Sequence, residues 1–128
     1  MNFALTEEQA AIRDAVQKVC AGFDDHYWYE RDNNSGTGSG FPVDFYNQLA
    51  AEGWLGICTD SAFGGAGSGI TEAAIMMRQI SESGAGMSGS SAVHINIFGL
   101  KPVEIYGSDE QKNRMLRPMV EGLSLIHI

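Results

Sequence analysis

Thr6-Glu7-Glu8-Gln9 followed by Ile12, Val16, Val19, Cys20 and Phe23 carries two helix signals at once. The first four residues make a capping box: the Thr6 hydroxyl can accept from the Gln9 amide while the Gln9 side chain reaches back. Glu7 and Glu8 suit the positive end of the helix dipole. The apolar residues then recur at a period near 3.6. The expectation is an amphipathic helix that ends near Gly22.

Working outward, helix signals continue and no stretch alternates apolar with polar residues over a strand length. Residues 33–40, Asn-Asn-Ser-Gly-Thr-Gly-Ser-Gly, have loop composition. Pro42 fits the first position of a second helix, with Phe45, Leu49 and Ala50 on its inner face and Gly53 as its stop. Trp54 to Cys58 is an apolar run too short to assign, and Gly64 to Gly69 is a glycine-rich loop. Ile70 to Ser83 predicts a third helix, with Thr71 or Ser68 as its cap. Its apolar residues (Ile70, Ala73, Ala74, Ile75, Met76, Met77 and Ile80) cover enough of the circumference to predict burial on most sides. Gly84-Ala85-Gly86 breaks it, and Ser88 to Phe98 forms a fourth helical stretch opening with small residues. Pro102 to Tyr106 makes a short one. Ser108-Asp109-Glu110-Gln111 is a second capping box, opening a helix that carries Met115 and Leu116 and that Pro118 ends or kinks. The fold class expected is all-α, an orthogonal or up-down bundle of about five to six helices.

Composition narrows the function. An apolar fraction of 44% and a charged fraction of 19% are ordinary for a globular protein. The net charge of −8 is uneven: residues 1–60 hold ten acids and three bases, residues 61–128 six acids and five bases. No Lys/Arg cluster exists to neutralise a phosphate backbone, which argues against nucleic-acid binding. An anionic membrane surface would repel the first half. The N-terminus lacks a basic segment followed by an apolar one, and no apolar run approaches the ~20 residues of a membrane span. Cys20 and Cys58, far apart and without partners at metal-ligand spacing, read as two buried thiols in a reducing compartment. The expected location is the cytoplasm.

The individual motifs are weak. Gly84-Ala85-Gly86-Met87-Ser88-Gly89 has the G-x-G-x-x-G spacing of a dinucleotide site, but helix rather than strand precedes it and no βαβ unit surrounds it. It reads as a turn between closely packed helices. His94 lies between Val93 and Ile95 without a metal-binding partner three or four residues away, and so reads as a polar residue inside or at the edge of the bundle. His26 among Asp24, Asp25, Tyr27 and Trp28 reads as a surface or interface cluster. Ser88, Ser90 and Ser91 lack the strand-turn-helix context of a nucleophile elbow, and Met76-Met77 is core filler. No catalytic constellation is visible.

Taken in order, several segments resemble the N-terminal domain of acyl-CoA dehydrogenases. Phe3-Ala4-Leu5-Thr6-Glu7-Glu8-Gln9 with Arg13-Asp14 resembles the family's opening helix. Phe41-Pro42 and then Leu49-Ala50-Ala51-Glu52-Gly53-Trp54-Leu55-Gly56-Ile57 resemble its second helix and the turn after it. Phe63-Gly64-Gly65-Ala66-Gly67 is similar to a family loop in which Tyr is commoner than Phe, and Ile70-Thr71-Glu72-Ala73-Ala74 to the next helix. Tyr106-Gly107-Ser108-Asp109-Glu110-Gln111-Lys112, with Leu116-Arg117-Pro118 and Glu121-Gly122, is the most diagnostic stretch.

The resemblance implies a helical domain, residues 1–122, that stacks on a middle β-domain and a C-terminal helical bundle, neither contained in these residues. It implies a parent oxidoreductase that holds FAD and removes two hydrogens from the Cα–Cβ bond of an acyl-CoA thioester. A glutamate takes the α-proton, hydride passes to the flavin, and electrons leave to an electron-transfer flavoprotein; the full-length protein would be a homo-oligomer. The glutamate base and most FAD contacts come from the later domains, so Glu104 and Glu121 are not candidates for that role, no catalytic residue is assigned, and the fragment alone would be inactive without holding FAD. What the resemblance carries onto this chain is one wall of the acyl-chain pocket, from Ser88–Phe98, with Ser90, Ser91, His94, Ile95 and Phe98 facing the substrate. The small serines would leave room for an acyl chain and Phe98 would bound it, while His94 is atypical for a purely apolar tunnel.

After Gly122 the resemblance implies continuation toward a flavin-contacting loop. Leu123-Ser124-Leu125-Ile126-His127-Ile128 is instead what one reading frame of a transposase adapter used in sequencing libraries encodes, so residues 123–128 are expected to be a non-native tail. Two other classes remain open at this point: a stand-alone acidic helical interaction module, and the helical domain of a related flavin oxidase or monooxygenase.

Overall fold

The computed structural model describes residues 3–34 and 40–123. The expected tail at residues 123–128 falls almost wholly outside them, as does most of the 33–40 loop. The described residues form seven α-helices: α1 (Glu7–Ala21), α2 (Asp25–Asn33), α3 (Val43–Ala51), α4 (Ile70–Glu82), α5 (Gly86–Phe98), α6 (Lys101–Tyr106) and α7 (Asp109–Val120). Two 3-10 turns, Trp54–Gly56 and Ser61–Phe63, sit between α3 and α4, and no strand occurs among the described residues. The fold is all-α, as the capping boxes and helical periodicity predicted.

Both predicted capping boxes form. Gln9 N donates to Thr6 Oγ1 at 3.2 Å while Thr6 N donates to Gln9 Oε1 at 3.1 Å. Ser108 and Gln111 repeat the arrangement at the start of α7. Each box satisfies amides that the first helical turn cannot pair internally. Val16, Val19 and Cys20 are the buried stripe of α1, and they pack against Ala73, Met76 and Ile80 of α4. α4 packs in turn on α5, which also meets α3 and the Trp54–Gly56 turn. The core between them holds Phe45, Leu49, Leu55, Ile57 and Val93. Phe45 is the aromatic hub, edge-on to Trp28 at 5.1 Å and to Phe23 at 5.3 Å. α7 closes the far end with Leu116, Met119 and Val120 against the two 3-10 turns and α6.

Four sequence expectations are corrected. α2 was not predicted: its residues, Asp-His-Tyr-Trp-Tyr-Glu-Arg-Asp-Asn, carry no apolar stripe, and only Trp28 is buried. It forms because Asp24 caps it, accepting from Tyr27 N at 2.9 Å, and because Trp28 enters the core with Nε1 donating to Phe23 O at 3.2 Å. Second, α4 is not enclosed on most sides. Ile70 is 73% exposed and Ala74 is exposed, so the buried set is an ordinary one-sided stripe. Neither Ser68 nor Thr71 caps it; Gly69 does, its amide donating to Glu72 Oε2 at 3.1 Å. Third, Pro42 stands at the N-cap of α3 rather than inside it. Fourth, of the two outcomes expected at Pro118 the helix end does not occur: α7 runs on to Val120, because a proline two residues before a helix end removes a single internal hydrogen bond. Gly53 stops α3 as expected, at φ 82°, a left-handed conformation that costs glycine nothing.

The undecided Trp54–Cys58 run becomes a 3-10 turn that continues into a hydrogen-bonded turn at Ile57 and Cys58. The glycine-rich loop folds back beside it through Ala66 N to Gly56 O (3.0 Å) and Ser68 N to Ile57 O (2.9 Å). α6 is tied to the same region. Lys101 Nζ donates to Cys58 O at 3.1 Å, and Glu104 accepts from Asp60 N at 3.0 Å and from Lys101 at 2.9 Å.

Candidate functional site

α5 divides sharply between its two sides. Gly89, Ser90, Ala92, Val93 and Asn96 are buried, facing α4 and α3. Ser91, His94, Ile95 and Phe98 stand at i, i+3, i+4 and i+7 on the opposite, exposed side. Of the five residues the sequence assigned to a substrate face, these four share a surface and Ser90 does not. One residue is 100° of helix rotation, enough to turn Ser90 inward. Its Oγ lies 2.6 Å from Ser81 Oγ of α4 and donates to Gly86 O at 3.0 Å, so the hydroxyl ties two helices together.

The exposed side of α5 is apolar with polar points. Ile95 is 45% and Phe98 55% exposed. The His94 and Phe98 rings are 5.0 Å apart and tilted by 53°. His94 Nδ1 is 3.2 Å from Ser91 O. A carbonyl can only accept, so Nδ1 carries a proton and Nε2 is left facing outward. α5 also begins two residues before the predicted Ser88, and the added turn brings Met87, 82% exposed, onto this side four residues before Ser91. Met87 escaped the sequence reading because it lies inside the glycine-rich spacing, where no helix was expected.

Beside that turn runs an open groove of about 380 Å³, lined by Gly40, Phe41, Pro42, Met87, Ser88 and Ser91 with Ala92. Phe41, 49% exposed, leans edge-on against Tyr46 at 5.4 Å and forms the wall opposite Met87. The small residues of α5 therefore leave a trough between two large side chains. Phe41 belongs to a family-like stretch of the sequence, yet nothing local links it to α5. The two are brought together only by the packing of α3 on α5.

The remaining motifs are structural. Gly84-x-Gly86-x-x-Gly89 is the α4–α5 turn, as its helical context predicted. A Cβ on Gly89 would lie 2.5 Å from Ala85 Cβ, 3.1 Å from Ile80 Cγ2 and 3.3 Å from Trp28 Cη2. A Cβ on Gly84 would lie 2.6 Å from an Asp25 carboxylate oxygen. Gly86 faces open space, but the space beside Gly84 and Gly89 is filled by protein, and the Asp25 carboxylate there repels a pyrophosphate. The glycine motif does not fit the flavin that the resemblance implies. His26 is exposed with Nε2 3.7 Å from Glu30, and Glu121 caps α7. Cys20 is buried and Cys58 half-buried; burial raises both thiols above their ordinary pKa. Among the described residues no cluster of His, Cys, Asp and Glu has the arrangement of a metal site, and no helix is long and apolar enough to cross a membrane.

The comparisons with known proteins agree with this architecture. A family model described as "Acyl-CoA dehydrogenase, N-terminal domain" matches residues 6–123. "Probable acyl-CoA dehydrogenase YngJ" of Bacillus subtilis is 28% identical over 98% of this chain and 32% of its own length. Benzylmalonyl-CoA dehydrogenase of Aromatoleum aromaticum is 25% identical over 95% of this chain and 31% of its own length. A 3-(aryl)acrylate reductase of Clostridium sporogenes is 32% identical over 64% of the chain and 22% of its own length. A chain from a solved structure of the electron transferring flavoprotein of Acidaminococcus fermentans superposes with a TM-score of 0.80 at 24% identity, covering 95% of this chain and 31% of that one; this likeness is one of fold. The chain spans about a third of the length of the first two relatives. It belongs to the acyl-CoA dehydrogenase family, and residues 6–123 are its N-terminal helical domain.

Proposed function

We propose that this domain is part of an FAD-dependent enzyme that dehydrogenates an acyl-CoA thioester between Cα and Cβ, and that the exposed side of α5 supplies one wall of the acyl pocket. The observation that carries the reading is the division of α5 described above. A helix whose inner side is fully packed still presents Met87, Ile95 and Phe98 to the outside, beside a trough floored by small residues. Soluble domains rarely leave such apolar surface in water without a use for it. Ligand pockets have this lining, mostly apolar with a few placed polar groups.

The flavin and the proton-accepting base belong to the rest of the parent protein, so the 128 residues alone are inactive and do not retain flavin. Cytoplasmic location, electron transfer to an electron-transfer flavoprotein and assembly into a homo-oligomer complete the proposal. The flavin takes the redox chemistry, and the contribution of this chain is to hold the acyl chain in one orientation. One relative named as a reductase gives the reverse direction, reduction of an α,β-unsaturated acyl group, as a second reading at the same wall.

The test uses the intact parent protein with its flavin. Acyl-CoA thioesters are expected to bleach the flavin absorbance. Ser91→Phe, which fills the trough, is expected to lower kcat/KM for long or branched acyl groups at least tenfold while sparing the shortest. A flavin that no acyl-CoA bleaches, or a Ser91→Phe enzyme with an unaltered acyl profile, would contradict the proposal.

A further inference from the structure

We infer that the acyl group received by this wall ends in an oxygen-bearing, hydrogen-bonding group rather than a methyl, and that His94 selects it. The inference rests on the reading of α5 as the acyl wall. Its basis is the polar inventory of the exposed side. Ser91 O already takes the Nδ1 proton of His94, which fixes the imidazole with Nε2 outward. The tilted ring of Phe98, 5.0 Å between ring centres, packs against the imidazole. Ser91, three residues before His94, adds a hydroxyl on the same face. An oriented imidazole and a small hydroxyl thus stand between Met87 on one side and Ile95 and Phe98 on the other.

A saturated acyl chain laid against this surface would take water from both polar groups and return no hydrogen bond. A polar group buried without a hydrogen-bond partner keeps its full desolvation penalty. A hydroxyl at the chain end removes that penalty, since it can accept from Ser91 and donate to the Nε2 lone pair. A carboxylate does so with the ring protonated. The shared chemistry is an acyl group whose far end carries oxygen. The aromatic edge of Phe98 and the trough beside Met87 leave the rest of the group in apolar contact.

The experiment measures kcat/KM of the intact flavin-loaded parent for three acyl-CoA thioesters of equal length, ending in methyl, hydroxyl and carboxylate. The same series is run on His94→Leu and His94→Gln. The expected wild-type result is a preference of roughly tenfold or more for an oxygen-ended thioester over the methyl-ended one, the size of one well-placed hydrogen bond. His94→Leu is expected to remove that preference and His94→Gln to keep part of it. Hydroxyl ranking first fits the neutral ring and carboxylate ranking first the protonated ring; either supports the inference. A wild-type enzyme that favours the methyl-ended thioester overturns it, as does a His94→Leu enzyme with the wild-type ratio. The Ser91→Phe series separates the two levels. If that series responds to acyl length while the His94 ratio is flat, only the choice of acyl end is wrong. If neither moves, the acyl wall itself is wrong and this inference falls with it.

Discussion

Glu72 joins two helix starts that lie 63 residues apart in sequence. One carboxylate oxygen accepts from Gln9 Nε2 at 2.8 Å and the other from Gly69 N at 3.1 Å. Gln9 is itself part of the Thr6 capping box, so one carboxylate couples the first turns of α1 and α4. The Gln9 hydrogen bond, followed by the backbone amides, holds Glu72 below its ordinary pKa of 4.5. A carboxylate depressed in the folded state contributes stability above its unfolded pKa and loses it as pH falls through the folded value. Acidification from pH 4.5 downward is therefore expected to lower the Tm of wild type more steeply than that of Glu72→Gln. Parallel Tm-against-pH curves for the two would show that the contact is not formed. Exposure and solvent screening make this a small effect, and its diagnostic value lies in its pH dependence.

Helices announced themselves in proportion to how much of their start and spacing was local. The Thr6 and Ser108 capping boxes and the i, i+3, i+4 rows of α1 are contained in a few consecutive residues, so α1 and α7 were legible. α2 was not, because its stability comes from one tryptophan inserted against Phe45 of α3, a neighbour that only tertiary packing supplies. The substrate-facing assignment divides in the same way. Ser91, His94, Ile95 and Phe98 fall on one face by helical period alone. Ser90 was grouped with them because a serine's direction cannot be read from its type, and only the Ser81 hydroxyl across the α4–α5 turn reveals it. That turn depends on Gly89, where α5 comes closest to α4 and Trp28. Gly89→Val should crowd Ile80 and Ala85 and destabilise the fold by about 1–3 kcal/mol, measurable by urea unfolding. A neutral result would mean that the two helices are less closely packed than described.

At the scale of the whole molecule, the described residues form a packed interior and leave apolar side chains exposed, those on one side of α5 among them. Phe45, Leu49, Met76, Ile80 and Val93 are wholly enclosed, while Met87, Ile95, Phe98 and Phe41 remain outside beside an open trough. The family, matched over residues 6–123, accounts for the core. Function turns on what covers α5. The most direct measurement is to bind an acyl-CoA with a photoreactive diazirine at the end of its acyl chain to the intact flavin-loaded protein, irradiate, and locate the label by mass spectrometry. Label is expected within residues 87–98, suppressed by excess unmodified acyl-CoA. Label that is competed away by acyl-CoA but lies wholly outside α5 would contradict it.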